Sequence, residues 1–252
     1  MSHATSAPSR NGNAYIVMQG VDKTFHTPAG DFVALKGIDT GFHESEFVSV
    51  VGKSGCGKST LVNMLTGIDR PSAGEVLVSG VNIHRLGESA MARWRGQHMG
   101  IVFQFYQLLP ALSILENILL PMDLSGVIPL GERHDRAMRL LKMVGLEAQA
   151  DDMPMAVSGG QQQSAAIARA LSNDPPIILA DEPTGNLDSR AAETVFEVFE
   201  DLAEQGKTII MVTHDDTLAA RANRIIRLAD GEIVSDTYQQ ARKQDHVQTQ
   251  VA

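Results

Sequence analysis

The chain carries a glycine-rich loop, Gly52-Lys53-Ser54-Gly55-Cys56-Gly57-Lys58-Ser59, directly after the apolar run 47–51. The loop fits the pattern G-x-x-x-x-G-K-[ST] and leads into a helical pattern over residues 58–65. Its glycines let the backbone wrap closely around phosphate groups, with several N–H groups pointing inward. The helix that follows turns its positive end toward the same anion. These features predict a nucleotide phosphate site in an α/β protein, rather than a chance glycine-rich turn.

The residues of this loop have separate expected roles. Lys58 is predicted to reach the β- and γ-phosphates, and the Ser59 hydroxyl to ligate Mg²⁺. Lys53 is an additional candidate phosphate contact, although its position more often faces solvent. Cys56 is either a redox-sensitive thiol or, as we favour, a small residue that fits the turn. The predicted nucleotide contacts in this region are Gly52, Lys53, Ser54, Gly55, Cys56, Gly57, Lys58, Ser59 and Thr60.

A second candidate site follows another apolar run, residues 177–180, which leads straight into Asp181 and Glu182. In parallel α/β sheets, ligands bind at the carboxyl ends of the strands. Asp181 is predicted to hold Mg²⁺, directly or through water, and Glu182 to act as general base toward the attacking water. Alone, this pair is equally consistent with a solvated strand end before a proline turn. The phosphate loop makes it a predicted part of the same site.

The composition of the chain limits the kinds of partner that it can have. Its 252 residues are 43% hydrophobic and 20% charged, which is ordinary for one globular domain with a sizeable core. The net charge of −9 argues against a nucleic-acid partner, because phosphates favour a basic face. The single cysteine excludes an internal disulfide and agrees with a reducing cytoplasm. No stretch approaches the ~20 apolar residues that span a bilayer, so we expect any membrane role to require a partner.

Strand and helix patterns alternate along the chain, which predicts a parallel sheet covered by helices. Short strands are expected at 177–180 and 208–212, and a helix at 190–204. Prolines, among them Pro121, are expected to interrupt the helical part. The predicted domain spans 14–239; it comprises short antiparallel strands over 14–46 and 74–83 and a helical subdomain over about 105–170, between disordered tails at 1–13 and 240–252.

Further motifs resemble those of ABC-transporter nucleotide-binding subunits, in the family order. Gln104 resembles the Q-loop glutamine and His214 the switch histidine. Phe25 falls where the family has an aromatic that stacks on adenine. The remaining two motifs are Ser158-Gly159-Gly160-Gln161, which is similar to the signature, and Gly185-Asn186-Leu187-Asp188, which is similar to the D-loop. The resemblance covers roughly residues 15–235.

This resemblance implies a P-loop ATPase core with a mainly parallel sheet, an antiparallel β subdomain and a helical subdomain that carries the signature. It implies ATP and Mg²⁺ as ligands, with Gln104 joining Ser59 and Asp181 at the metal. The signature grips the ATP of a second subunit, so that two ATPs lie sandwiched between two subunits. The residues implied to be catalytic are Lys58, Glu182 and His214.

Some of these residues have simpler interpretations. Phe25 is either a core residue or an adenine-stacking ring, since aromatic faces suit purines. Asp188 bridges the subunits, caps the helix that begins near Ser189, or does both. Ser158 alone would be an ordinary helix N-cap, and Gln104 alone a polar loop residue. For these residues, only the occurrence of all the motifs together, in the family order, favours a role in nucleotide binding.

The segment from Phe103 to Pro121 is similar to the MacB/LolD/FtsE branch of the family, whose ATPase dimers work on FtsX-like permeases. The resemblance implies a peripheral ATPase at the cytoplasmic face of the inner membrane, driving export, extraction of lipids or lipoproteins, or force transmission. Residues 104–121 would dock on an integral membrane permease, unless their apolar side chains form the lobe's own core. The alternative is a soluble ABC ATPase without a permease. The single phosphate loop and the lack of a long coiled-coil insertion count against it.

The chain departs from that branch at several positions. Ser164 stands where an arginine is common, and Ala165 where a valine is common. Val157 replaces the signature leucine, Ser45 a glycine, and Phe25 a tyrosine. The lost cation at Ser164 leaves open an asymmetric pair with a different ATPase subunit, although a homodimer is favoured. The phosphate, metal and water-handling residues are intact, so an active ATPase is predicted.

Overall fold

The computed structural model describes residues 14–28 and 30–239, so the predicted tails lie outside the described residues. In chain order the strands are β1 (Ile16–Thr27), β2 (Gly30–Phe42), β3 (Phe47–Val51), β4 (Ala73–Val78), β5 (Val81–Asn82), β6 (Met99–Val102), β7 (Ile177–Asp181), β8 (Thr208–Thr213), β9 (Arg224–Ala229) and β10 (Glu232–Tyr238). The α-helices are α1 (Lys58–Thr66), α2 (Glu88–His98), α3 (Ile114–Ser125), α4 (Leu130–Met143), α5 (Gly159–Ala170), α6 (Ser189–Glu204) and α7 (Asp216–Ala219).

The central sheet has six strands in the order β10-β9-β3-β8-β7-β6, and all of its pairs are parallel except that of β10 with β9. Every residue of β3 and β8 is buried, which explains their continuous apolar sequences, because a parallel sheet is covered on both faces. Side chains of β7 alternate between two cores: Ile178 packs with α5 and α6, and Ile177 with α1 and the antiparallel strands. The predicted α/β fold is confirmed.

The antiparallel sheet, in the order β2-β1-β4-β5, corrects one expectation. Strands β1 and β2 are 12 and 13 residues long, not short. Register shifts interrupt their pairing between Met18 and Thr24, and Gly20 and Gly37 lie beside them at positive φ. Such bulges bend and twist a hairpin without ending it, so both strands continue past the glycines that suggest strand ends in the sequence.

A helical lobe is formed by α3, α4 and α5, which share one core with the sheet. Pro121 lies inside α3 and does not end it, contrary to prediction. Side chains after α5 support this turn: Ser172 Oγ donates to the Ile118 carbonyl (2.7 Å) and the Asn173 amide to the Pro121 carbonyl (3.2 Å). These tertiary hydrogen bonds hold the backbone of α3 around the proline, although they do not replace its missing N–H. Across residues 14–28 and 30–239, no helix combines the length and the apolar character that crossing a membrane requires.

One buried arginine joins the two sheets. The Arg224 guanidinium pairs with both carboxylate oxygens of Asp236 on β10 at 2.6 Å and donates to the Gly41 carbonyl of β2 at 2.7 Å. Only 4% of its surface is exposed. Because a buried charge needs full pairing, this arginine fixes the antiparallel sheet against the last two strands of the central sheet.

Candidate functional site

The phosphate loop connects buried β3 to the first turn of α1. Gly57 precedes the helix with φ 107°, and a Cβ placed there would lie 2.5 Å from the Ala34 carbonyl oxygen. A Cβ on Gly52 would lie 2.3 Å from the Leu228 carbonyl oxygen. Since real Cβ atoms do not approach oxygen so closely, neighbouring backbone fixes glycine at both ends of the loop.

Lys58 projects back into this loop. Its ammonium donates to the carbonyls of Gly52 (2.8 Å) and Lys53 (3.2 Å) and lies 3.7 Å from Glu182 Oε1. The side chains of Lys53 and Ser54 are exposed, whereas Cys56 is buried. Burial of the Cys56 thiol supports its interpretation as a small residue that fits the turn.

Asp181 and Ser59 meet where β7 ends beside α1. The Ser59 hydroxyl donates to the Asp181 carboxylate, while Asp181 Oδ1 is buried with no hydrogen-bond partner among the described residues. Burial raises the pKa of Asp181, and the negative charge of Glu182 raises it further. The hydrogen bond from Ser59 and the positive charge of Lys58 act in the opposite direction, and burial is the largest effect. An unpartnered carboxylate oxygen beside a hydroxyl is a donor set that suits Mg²⁺. The residues present therefore fit the predicted metal.

Glu182 follows in a left-handed backbone conformation, with φ 49°. Its N–H donates to the Val212 carbonyl of β8 (2.9 Å), which fixes the residue between two strand ends. Glu182 Oε2 lies 2.5 Å from His214 Nδ1, and Lys58 flanks the other carboxylate oxygen. The three predicted catalytic side chains thus come together although they are far apart in sequence. The carboxylate is held between two basic groups, which is an arrangement suited to a fixed general base.

Gln104 lies two residues beyond the end of β6, near the D-loop. A Cβ placed on Gly185 would lie 3.1 Å from its amide nitrogen and 3.4 Å from Glu182 Oε2. The Asn186 amide donates to the Gln104 carbonyl at 3.0 Å. Asn186 was predicted only as part of the D-loop motif, with no role of its own. Its contact is made to a backbone atom, so sequence patterns carried little sign of it.

The signature begins helix α5. The Ser158 hydroxyl accepts from the Gln161 N–H (3.3 Å), and the Gln161 side chain accepts from the Ser158 N–H (2.9 Å), which forms a capping box. A Cβ on Gly159 would lie 2.7 Å from the Tyr106 hydroxyl, so a larger residue there would displace that side chain. Among the described residues, no hydrogen bond or ion pair joins the signature to the phosphate loop.

The D-loop aspartate starts helix α6. Asp188 Oδ1 accepts from the N–H groups of Arg190 (3.0 Å) and Ala191 (2.9 Å), so the capping role is present. A cleft of about 310 Å³ separates the starts of α5 and α6. Ser164 lines this cleft together with Asp188 and Arg190. The departure at Ser164 thus lies beside both the signature and the D-loop.

Phe25 lies half-buried on β1, with Lys23 Nζ 4.8 Å above the centroid of its ring. Lys23 is itself fixed by the Arg70 carbonyl (2.8 Å) and the Asp69 carboxylate (2.7 Å). A cation over an aromatic face is attracted by the ring electrons. An adenine ring would have to stack on the other face of Phe25 or displace Lys23.

Comparisons with known proteins identify the family of this chain. A family described as "ABC transporter" matches residues 35–185. The pyoverdine export ATP-binding/permease protein PvdT of Pseudomonas fluorescens is 49% identical over 203 residues, which is 81% of this chain and 31% of that protein. The macrolide export ATP-binding/permease protein MacB 2 of Yersinia pestis bv. Antiqua is 44% identical over 239 residues, 95% of this chain and 34% of that protein. The chain thus spans about a third of the length of these curated relatives.

A solved structure gives the same result at the level of the fold. It is a dimeric post-hydrolysis state of the ATP-binding cassette MJ0796 bound to ADP and Pi, with a TM-score of 0.84 and 41% sequence identity. The match covers 89% of this chain and 99% of that one. The similarity to MacB confirms the branch that the sequence resembled. Since the family match alone covers more than half of the sequence, the chain belongs to the ABC transporter family as one of its ATP-binding ATPase cassettes.

Proposed function

We propose that this cassette hydrolyses ATP in a two-subunit sandwich and powers an FtsX-like permease. The observation that carries the proposal is the placement of the Glu182 carboxylate. It stands at the carboxyl end of β7, hydrogen-bonded to His214 at 2.5 Å and 3.7 Å from the Lys58 ammonium. A carboxylate fixed between two basic groups beside a phosphate loop suits a general base toward an attacking water.

In the proposed reaction, N–H groups of the phosphate loop and Lys58 hold the phosphates of ATP. Ser59 and Asp181, joined by Gln104, would hold Mg²⁺, which when bound neutralises charge on the β- and γ-phosphate oxygens. Glu182 accepts a proton from water as the water oxygen forms a bond to the γ-phosphorus. The bond from that phosphorus to the β–γ bridging oxygen breaks, and ADP leaves. Lys58 stabilises the charge that develops on the transferred group.

A second subunit completes the proposed site. Ser158 Oγ and the N–H groups at the start of α5 form an anion-binding helix N-terminus, and the same chain already has a phosphate loop. The signature therefore suits the γ-phosphate of ATP held by a partner subunit, as the dimeric state of the MJ0796 cassette supports by similarity. We favour a homodimer. An asymmetric heterodimer is the alternative, because of Ser164.

The proposed permease contact lies on the helical lobe. Within the docking segment 104–121, Ile114 and Ile118 are fully buried and belong to the lobe's own core. Phe105 is 70% exposed, and Leu124, just beyond the segment, is 79% exposed. Between α2 and α3 lies a groove of about 440 Å³ whose lining includes Leu120, Pro121 and Leu124. An exposed apolar groove at the C-terminal end of the docking segment suits a cytoplasmic helix of a permease.

The relatives support this partner, because both PvdT and MacB are named as ATP-binding/permease proteins. The cassette would then lie at the cytoplasmic face of the inner membrane as a peripheral component. Purification in mild detergent tests this arrangement: an integral membrane protein should copurify, and its loss on Leu124→Glu would place the contact in the groove. Recovery of the cassette without any membrane protein would refute the transport function.

The Glu182→Gln variant tests the chemistry. The amide cannot accept the proton from water, so turnover should fall by at least about a hundredfold, the lower range for a positioned base. ATP binding should persist, and the dimer should accumulate. The control is Asp216→Asn, which removes an exposed carboxylate two residues beyond His214 and should leave turnover unchanged. Normal turnover in Glu182→Gln would show that another group is the base.

A further inference from the structure

Arg169 binds two consecutive carbonyls of the segment that follows β6. From the last turn of α5, its Nη1 donates to the Gln107 carbonyl at 2.6 Å and its Nη2 to the Tyr106 carbonyl at 2.9 Å. Within the described part of the chain, this guanidinium forms no ion pair. A largely buried cation is thus satisfied by two backbone oxygens. What it holds is the path of residues 106–107.

The backbone conformation of residues 106–107 is unfavourable without such support. Gln107 has φ 48°, a left-handed conformation that residues with a Cβ adopt reluctantly. Such a conformation persists only where surrounding contacts impose it, and the short Arg169 bond is made to this residue. Further along, the fully buried Asn117 of α3 exchanges hydrogen bonds with the backbone of Leu109 (2.8 and 3.1 Å). The segment is therefore hydrogen-bonded to α5 before Leu108 and to α3 after it.

The other end of the segment is also tied to α5 and to the loop after β7. The buried Gln163 amide donates to the Phe103 carbonyl at 3.4 Å, and Asn186 to the Gln104 carbonyl at 3.0 Å. Together with the Arg169 bonds, these contacts fix the carbonyls on both sides of Gln104. Because α5 starts at Ser158, the glutamine and the signature are attached to the same helix.

We propose that Arg169 is a positioning residue that sets the placement of Gln104 relative to the signature. The inference rests on the proposed function, in which Gln104 serves the ATP of its own subunit and Ser158 that of the partner. Both contacts form together only if the distance between them suits the closed dimer. Arg169 is not among the residues proposed to hold either nucleotide, so it acts on dimer closure and turnover and leaves the ATP affinity of the single subunit alone.

Arg169→Lys tests the proposal, because it keeps the charge but cannot bind two carbonyls as a planar fork. The matched control is Arg136→Lys, since Arg136 Nε and Nη2 donate to the carbonyls of Ser172 (2.6 Å) and Leu171 (2.9 Å) just beyond the same helix. In Arg169→Lys, kcat and Mg-ATP-dependent dimerisation should fall about tenfold, the effect of losing a charged hydrogen bond. ATP affinity of the monomer should stay within about twofold, and Arg136→Lys should behave as wild type.

A double-mutant cycle distinguishes positioning from general support of the fold. If Arg169 acts through Gln104, Arg169→Lys should cause little further loss of kcat in a Gln104→Ala background. Full additivity, equal effects in the two lysine variants, or a parallel loss of ATP affinity would overturn the proposal. So would loss of the thermal transition in Arg169→Lys, which would make Arg169 a folding residue. Absence of hydrolysis by the wild-type protein would overturn the proposed function, and this inference with it.

Discussion

Replacing Gly57 by alanine should distort the phosphate loop, whereas the same change at Gly55 should not. Both glycines have positive φ, 107° and 80°. At Gly57 the new Cβ would also lie 2.5 Å from the Ala34 carbonyl oxygen, while at Gly55 it would meet nothing within 4 Å. Both alanines share the conformational cost, and only Gly57→Ala adds a collision with backbone. The pair therefore separates the two effects.

The magnitudes follow from these contacts. A left-handed conformation costs alanine roughly 1–2 kcal/mol relative to glycine, so Gly55→Ala should lower the free energy of unfolding by about that amount. Overpacking against backbone that cannot rotate away adds about 1–3 kcal/mol, which gives roughly 2–5 kcal/mol for Gly57→Ala. The loop must retreat from β2 to relieve the collision, so the Gly57 variant should also lose most of its ATP affinity.

Urea unfolding of both variants without nucleotide measures the stability difference, and equilibrium binding of ATP measures the loop. Equal losses of stability at the two positions would refute the close approach of Gly57 to Ala34. Full ATP affinity in a destabilised Gly57→Ala would refute the link between that contact and the phosphate site.

Three further predictions concern the predicted site. Asp181→Asn should raise the thermal stability of the nucleotide-free protein near neutral pH, because burial raises the pKa of Asp181. The aspartate therefore stabilises the fold only at low pH, below its unfolded pKa. That stabilisation is lost as the pH rises through the folded pKa. The gain in Tm should shrink toward about pH 4, near the ordinary pKa of an aspartate side chain, and Mg²⁺ should no longer strengthen ATP binding; a gain that is constant with pH would contradict the burial argument. His214→Ala removes a hydrogen bond to Glu182 from an exposed side chain, so kcat should fall about five- to thirtyfold with KM changed little; an unchanged kcat would show that Glu182 needs no support. Ser164→Arg places a cation in the cleft beside Asp188, and a shift in dimerisation measured by light scattering is expected, whereas no change would make Ser164 a neutral surface position.

The positions of the candidate site residues could be predicted from the sequence because its motifs are local. The phosphate loop is one uninterrupted stretch, and Asp181 and Glu182 directly follow an apolar run. Their convergence with His214 followed from a single rule, that parallel strands end at the same edge of a sheet. Sequence periodicity also marked β3 and β8, whose residues are buried without exception.

The supporting contacts were not predictable in the same way. Arg169 and Asn186 bind backbone carbonyls, and every residue offers a carbonyl, so the acceptor leaves no trace in the sequence. Pro121 was expected to interrupt a helix because the hydrogen bonds from Ser172 and Asn173 arise only after the chain has folded. The length of β1 and β2 depends likewise on bulges whose effect is decided by pairing.

The order of the central sheet has a consequence for synthesis of the chain. Strand β3, which leads into the phosphate loop, lies between β8 and β9, and both neighbours come from the last quarter of the described sequence. On the ribosome, both edges of β3 remain unpaired until Thr208–Thr213 and then Arg224–Ala229 have emerged. Such long-range closure is slow and leaves an apolar strand available to chaperones or to misassembly. A nascent chain that stops after α6 lacks both strands that flank β3 in the sheet, so we expect nucleotide binding only after β9 has emerged.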